Sequence, residues 1–185
     1  MLEAEIKLAL GADDEARLRE RLAALGATPA TTHEQADTYF AHPVRDFPRT
    51  DEALRLRLDD GVLRVTYKGP KLDPPRKTRE EIEFALGTEL DVATTLLERL
   101  GFRVAAAVRK RRAEWHVPGL LPGVVSIDEV DGLGTYCEVE VSAATVEEGR
   151  TALAELQRRL GLDHLSPIAD SYLELLARRA GSNAS

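Results

Sequence analysis

The sequence has one cysteine, Cys137. A lone thiol can form neither an intrachain disulfide nor a cysteine-cluster zinc site. Histidine is scarce too: His33, His42, His116 and His164 sit far apart, without the local spacing of a histidine metal site, and read as surface or packing residues. No apolar run approaches the roughly twenty residues that a membrane span needs. The opening MLEAEIKLAL sets Glu3, Glu5 and Lys7 where a signal peptide would be uninterruptedly apolar. A soluble, cytoplasmic protein with no membrane partner is therefore expected. An excess of positive charge is also missing. The net charge of −7 argues against duplex nucleic acid as the main partner, because that affinity comes largely from neutralising phosphates. Lysine and arginine must be used locally.

What is present is the composition of an ordinary globular protein, 43% apolar and 31% charged over 185 residues. One domain over 1–180 with a disordered tail at 181–185 is the expectation. Strand-like alternation covers 2–10, 33–41, 53–59, 62–69, 79–86, 103–117, 123–130 and 135–143, and Asp59-Asp60-Gly61 supplies a hairpin turn. Helical periodicity covers 13–25 and 91–100, each closed by glycine. Thr145 and Glu148 form a capping box for a third helix to Leu160, and Ser166-Pro167 is predicted to start a fourth. Two charged, proline-bearing loops, 41–52 and 70–78, suit mobile segments at the mouth of a barrel.

The charges follow strict period two. Glu3, Glu5 and Lys7 oppose Leu2, Ala4, Ile6 and Leu8, and Arg55 and Arg57 oppose Leu54, Leu56 and Leu58. Arg64, Thr66 and Lys68 share one side of the next strand, as do Arg79, Glu81 and Glu83 of the one after it. Lys110, Arg112 and Glu114 lie together, Ser126 joins Asp128, and Glu138 joins Glu140. Taken singly, each strand could show the solvated outer face of an antiparallel sheet. Taken together, the charged sides carry few neutral polar spacers, and the amphipathic helices need an apolar surface to cover. If helices coat the outside, the charged sides close on one another and the fold is α+β: a closed eight-stranded antiparallel barrel with a charged lumen, flanked by about four helices. Such a lumen must be wet or ligand-filled, since uncompensated buried ions are costly. Its arginines and lysines suit phosphate oxygens, and its carboxylates suit a hard cation such as Mg²⁺ or Mn²⁺.

The pentapeptide Glu3-Ala4-Glu5-Ile6-Lys7 fits an E-x-E-x-K signature, and the chain continues with ADTYF at 36–40, RDFPRTDEALRLR at 45–57 and TYKGP at 66–70. REEIEF at 79–84, VRKRR at 108–112, SIDEVDGLGTYCEVEV at 126–141 and DSYLELL at 170–176 follow. In this order the chain resembles the CYTH superfamily of triphosphate tunnel metalloenzymes, in its class IV adenylate cyclase branch. The resemblance implies an eight-stranded tunnel, dependence on Mg²⁺ or Mn²⁺, and often a homodimer. It implies that Glu3, Glu5, Asp128, Glu138 and Glu140 bind metal, and that Lys7, Arg55, Arg57, Lys68, Lys110 and Arg112 grip the triphosphate. Arg79, Glu81 and Glu83 become supporting wall residues, while Arg64 and Glu114 rest on alternation alone. Catalysis is expected from Glu3, Glu5, Lys7, Arg57, Lys68, Lys110, Arg112, Asp128, Glu138 and Glu140. The first reading of the activity is cyclisation of ATP to 3′,5′-cyclic AMP and pyrophosphate. Hydrolysis of tripolyphosphate, thiamine triphosphate or a nucleoside triphosphate is the second, and a non-catalytic sensor is the third.

Overall fold

A computed structural model describes residues 2–72, 79–118 and 123–182. Its strands are β1 (Leu2–Ala9), β2 (Thr28–Ala41), β3 (Ala53–Asp59), β4 (Val62–Lys68), β5 (Glu81–Leu86), β6 (Arg103–His116), β7 (Gly123–Val130) and β8 (Gly134–Ala143). Its helices are α1 (Ala12–Ala24), α2 (Phe47–Thr50), α3 (Leu90–Arg99), α4 (Val146–Arg159) and α5 (Tyr172–Ser182). All strands join one antiparallel sheet in the order β1-β8-β7-β6-β2-β3-β4-β5. The sheet curls into a half-barrel. The continuous closure expected from the sequence is not present among the described residues: the edges meet at one bridge, where Arg79 N donates to Glu3 O at 3.2 Å.

Helices α1, α3 and α4 cover the convex side, where most apolar residues of the alternating strands point, whereas α5 packs on the concave side. Ala4, Ile6 and Leu8 of β1 and Cys137, Val139 and Val141 of β8 pack with Leu18 and Leu22 of α1 and Leu153 and Leu156 of α4. Each leucine buried here contributes about 2 kcal/mol. Thr145 caps α4 as its sequence predicts: Glu148 N donates to Thr145 Oγ1, and Thr145 N donates to Glu148 Oε2, both at 3.2 Å. Gly149 lets that helix sit close, since a Cβ there would lie 2.7 Å from Ala4 Cβ. Ala93 and Leu97 of α3 cover Phe40, Leu56 and Leu63. At the β3–β4 hairpin Asp60 and Gly61 both have positive φ, 45° and 82°, the conformation that the predicted turn requires.

Three expectations change. The loop 41–52 contains the short α2, and its start is pinned by His42 Nδ1, which accepts from Val44 N at 3.1 Å and Arg45 N at 2.9 Å. Of the loop 70–78, residues 73–78 lie outside the described residues. The last helix begins at Tyr172 rather than beside Ser166-Pro167. Ile168 N donates to Lys7 O at 2.8 Å, which holds the segment extended along β1. Ser171 then caps α5: Glu174 N donates to Ser171 Oγ at 3.2 Å and Ser171 N to Glu174 Oε2 at 2.6 Å. The helix continues to Ser182, into the stretch read as a tail, and 183–185 lie outside the described residues. No described helix is long and apolar enough to cross a membrane.

Candidate active site

Because side chains alternate along each strand, the positions opposite the helix-covered core share the concave face, and there they line a cavity of about 430 Å³. Glu3, Glu5 and Lys7 reach it from β1, Arg55 and Arg57 from β3, Arg64 and Lys68 from β4, and Arg79, Glu81 and Glu83 from β5 and the residues before it. Lys110, Arg112 and Glu114 come from β6, and Glu138 and Glu140 from β8. Of the residues singled out in the sequence, Asp128 alone does not line the cavity. It is completely buried behind the basic residues of β6.

Asp128 is heavily engaged, with three donors on Oδ2 and one on Oδ1. It accepts four hydrogen bonds, from Arg112 Nε at 2.7 Å, Arg112 Nη2 at 2.6 Å, Lys110 Nζ at 2.9 Å and the Tyr172 hydroxyl at 2.9 Å. A carboxylate offers about four lone-pair positions. Burial alone would raise the Asp128 carboxyl, but the charges of Arg112 and Lys110 outweigh it and hold the group ionised. Glu138 is engaged similarly, with Lys7 Nζ at 3.3 Å and with Arg112 Nη2. Burial and the neighbouring Arg112 bring the Lys110 ammonium down to about 8, against the pull of Glu138 and Asp128.

A second carboxylate that the sequence reading did not single out orders the opposite wall. Asp37 of β2 accepts Arg57 Nε at 2.6 Å and Arg57 Nη2 at 2.7 Å, and Arg55 Nη1 stands 3.5 Å away. Burial would raise its carboxyl, yet the charge of Arg55 and the paired bonds from Arg57 hold it well below the usual carboxylate range. Arg55 also donates to Thr66 Oγ1 at 3.0 Å, and Thr66 donates to Glu83 at 2.7 Å. Arg55 Nε is buried with no partner. Lys68 pairs with Glu81 at 2.6 Å.

Glu3 and Glu140 are under-neutralised. Burial, and then the charges of Glu3 and Glu5, push the Glu140 carboxyl up to about 8, with Lys68 the opposing cation. Burial and the neighbouring Glu81 likewise raise Glu3. Carboxylates crowded in this way favour a hard divalent cation or shared protons. Among the described residues no three acids or histidines form a ready-made metal shell, so a cation here would draw the side chains inward.

The concave face is charged over only part of its length. At one end the same side of the sheet turns apolar: Tyr39, Val108, Val130 and Tyr136 receive Tyr172 and its neighbours from the start of α5. Lys7 Nζ lies 3.6 Å from the centre of the Tyr172 ring, so this helix meets the basic cluster directly. Tyr172, like Asp37, went unnamed among the site residues. The parity of 35, 37 and 39 along β2 could have found Asp37, but nothing in a helical stretch announces Tyr172.

A curled antiparallel sheet whose concave face concentrates basic and acidic side chains is the arrangement of the CYTH domain. The profile of that domain matches residues 1–172. The chain belongs to the CYTH family. It is 39% identical over 178 residues, 95% of this chain and 98% of the other, to a Methanocaldococcus jannaschii protein provisionally named an adenylate cyclase. It superposes on a solved Pyrococcus horikoshii protein with TM-score 0.84 at 34% identity, over 96% of this chain and 99% of that one. A Hippeastrum protein, named for adenylyl cyclase but described by a dominant triphosphatase activity, shares the fold with TM-score 0.67 at 19% identity, over 97% and 96% of the chains.

Proposed function

We propose that this chain is a metal-dependent enzyme of organic triphosphates, and that it converts ATP to 3′,5′-cyclic AMP and pyrophosphate. The observation that carries the reading is a division of charge around one cavity. Lys7, Arg55, Arg57, Lys110 and Arg112 are each held in place by a carboxylate or hydroxyl, while Glu3 and Glu5 crowd Glu140, whose carboxyl is raised by burial and by their charges. The first group suits phosphate oxygens and the second suits a divalent cation.

Arg57 spends its Nε and Nη2 on Asp37, which leaves Nη1 for a phosphate oxygen, and the unpartnered Arg55 Nε is a buried donor that a phosphate would satisfy. Lys7, Lys110 and Arg112 supply charge from the other wall, fixed there by Asp128 and Glu138. Glu3, Glu5 and Glu140, with Glu81 beside them, would hold Mg²⁺ or Mn²⁺. Asp128 and Glu138, which the resemblance assigns to metal, would instead orient the basic residues. Bound at the carboxylates, a divalent cation supplies charge neutralisation and acidifies a coordinated hydroxyl. The ribose 3′-oxygen attacks the α-phosphorus, the bond from that phosphorus to the bridging oxygen breaks, and the hydroxyl proton passes to water. Pyrophosphate departs against the basic wall. Its stabilisation is mostly positioning and preorganised charge.

Hydrolysis is the second reading, favoured by the triphosphatase activity described for the Hippeastrum fold neighbour. Water would attack the terminal phosphorus with the same side chains in place. Incubation with ATP, thiamine triphosphate or tripolyphosphate plus Mg²⁺ or Mn²⁺, with products resolved, separates the readings. Cyclic AMP with pyrophosphate supports cyclisation, and orthophosphate from tripolyphosphate supports hydrolysis. Binding without turnover would leave a sensor. Glu5→Gln and Arg57→Ala should each abolish turnover, and near-normal rates in both would overturn the assigned roles.

A further inference from the structure

Four buried side-chain nitrogen and oxygen atoms among the described residues have no hydrogen-bond partner: Arg55 Nε, Gln35 Oε1, His33 Nε2 and Asp59 Oδ1. The last three lie together. Gln35 pairs with Asp59 across the β2–β3 ladder, and Gln35 Nε2 donates to Asp59 Oδ2 at 2.9 Å. Only the amide nitrogen can face a carboxylate, so this bond fixes the orientation and leaves Gln35 Oε1 as an acceptor with no donor. Gln35 is 4% exposed and lines the cavity. His33 lies between two acids, with Nδ1 3.2 Å from Asp59 Oδ1 and Nε2 3.4 Å from Glu114 Oε2.

We propose, resting on the triphosphate reading above, that Gln35, Asp59, His33 and Glu114 form the subsite for the hydroxyl-bearing sugar of a nucleoside triphosphate. The subsite thereby fixes the direction in which the triphosphate lies. A buried acceptor without a donor, as Gln35 Oε1 is, is costly, and a ligand that donates to it relieves that cost. Sugar hydroxyls do so. Phosphate oxygens do not, and Asp59 and Glu114 repel them.

The opposite end of the cavity offers no such vacancy, because its acids are already satisfied. Asp51 accepts from Lys71 N and Nζ, both at 2.8 Å, and Glu52 accepts from Arg45 at 2.7 Å and the Tyr67 hydroxyl at 2.6 Å. Gln35 stands opposite Lys110 in the β2–β6 ladder, and Glu114 Oε1 lies 3.9 Å from Arg112 Nη1, so the acceptors border the basic residues of β6. A nucleotide whose sugar sits among the acceptors brings its phosphates against Lys110 and Arg112, which line the same cavity. Its α-phosphorus is then the phosphorus nearest the acceptor end.

The test compares wild type with Gln35→Met, which keeps the volume and removes the amide. Both are titrated by calorimetry with α,β-methylene ATP and with inorganic tripolyphosphate, with Ca²⁺ in place of Mg²⁺. The expected result is a loss of at least tenfold in affinity for the nucleotide and less than twofold for tripolyphosphate, which also shows that the variant is folded. Asp59→Asn should repeat the pattern. Equal losses for both ligands, or none for the nucleotide, overturn the subsite. Failure of wild type to bind either ligand overturns the triphosphate reading itself, and the subsite with it.

Discussion

Asp37 and Arg57 face each other directly across the β2–β3 ladder, and their side chains form a two-bond fork at 2.6 and 2.7 Å. The same carboxylate stands 3.5 Å from Arg55, so one buried anion sets two guanidinium groups of the basic wall. An arginine held by a fork loses little further rotamer freedom when phosphate arrives. Asp37→Asn should therefore do two things. Two buried cations lose their counter-charge, which costs about 3 kcal/mol of stability, and KM for the triphosphate rises by about tenfold or more as the arginines lose their aim. Tripolyphosphate should restore much of the lost thermal stability, because phosphate replaces the missing charge. A variant with wild-type stability and unchanged KM would show that the fork has no part in binding.

The crowding around Glu140 makes a prediction about pH. Its carboxyl is raised from 4.5 to about 8 by burial and by Glu3 and Glu5, so the metal-free fold prefers the protonated form. The resulting stability is fully present below the unfolded value and is lost as pH rises through the folded one, which places the loss between 4.5 and about 8. Melting curves of the metal-free protein should fall by ~5 °C or more across that window. Glu140→Gln should flatten the profile, and Mg²⁺ should stabilise wild type more at pH 8 than at pH 6, because the cation competes with the proton. Parallel profiles for wild type and variant would dissociate Glu140 from this behaviour.

Gly149 predicts a defect far from the cavity. A methyl group there would approach Ala4 Cβ to 2.7 Å and Ala143 Cβ to 3.4 Å, and both are short side chains that cannot swing aside. Gly149→Ala gains about 1 kcal/mol in helix propensity but forces α4 off the β1–β8 surface, for a net loss of about 1–2 kcal/mol. Ala4→Gly in the same chain should recover part of it. Denaturant titration of the single and double variants measures both changes, and a stabilised single variant would show that the helix has room to shift.

Much of the fold was legible because antiparallel strands with one covered face write their geometry as alternation. The expected bounds of β3 and β7 agree with the structure to the residue, β2 starts five residues before the expected 33, and the other strands differ by one or two residues at an end. The sides carrying Arg55, Arg57, Lys110, Arg112 and Glu140 were assigned together for the same reason, and they do share one cavity. What period two could not supply was pairing. Asp128 reads as one more acid of a metal set until its four donors are seen. Asp37 reads as one residue of an ADTYF segment until Arg57 is found opposite it. The late start of α5 also depended on a tertiary bond, from Ile168 N to Lys7 O, that overrides the local tendency of 166–171.

The order of the sheet has a consequence for synthesis of the chain. β1 carries Glu3, Glu5 and Lys7, yet its ladder partner is β8, whose residues 134–143 leave the ribosome long afterwards. During synthesis β1 must wait for β8 before it acquires its ladder partner. A nascent chain stalled before that strand can hold the β3–β4 hairpin but not a completed cavity, so the assembled charge pattern is withheld until β8 has emerged.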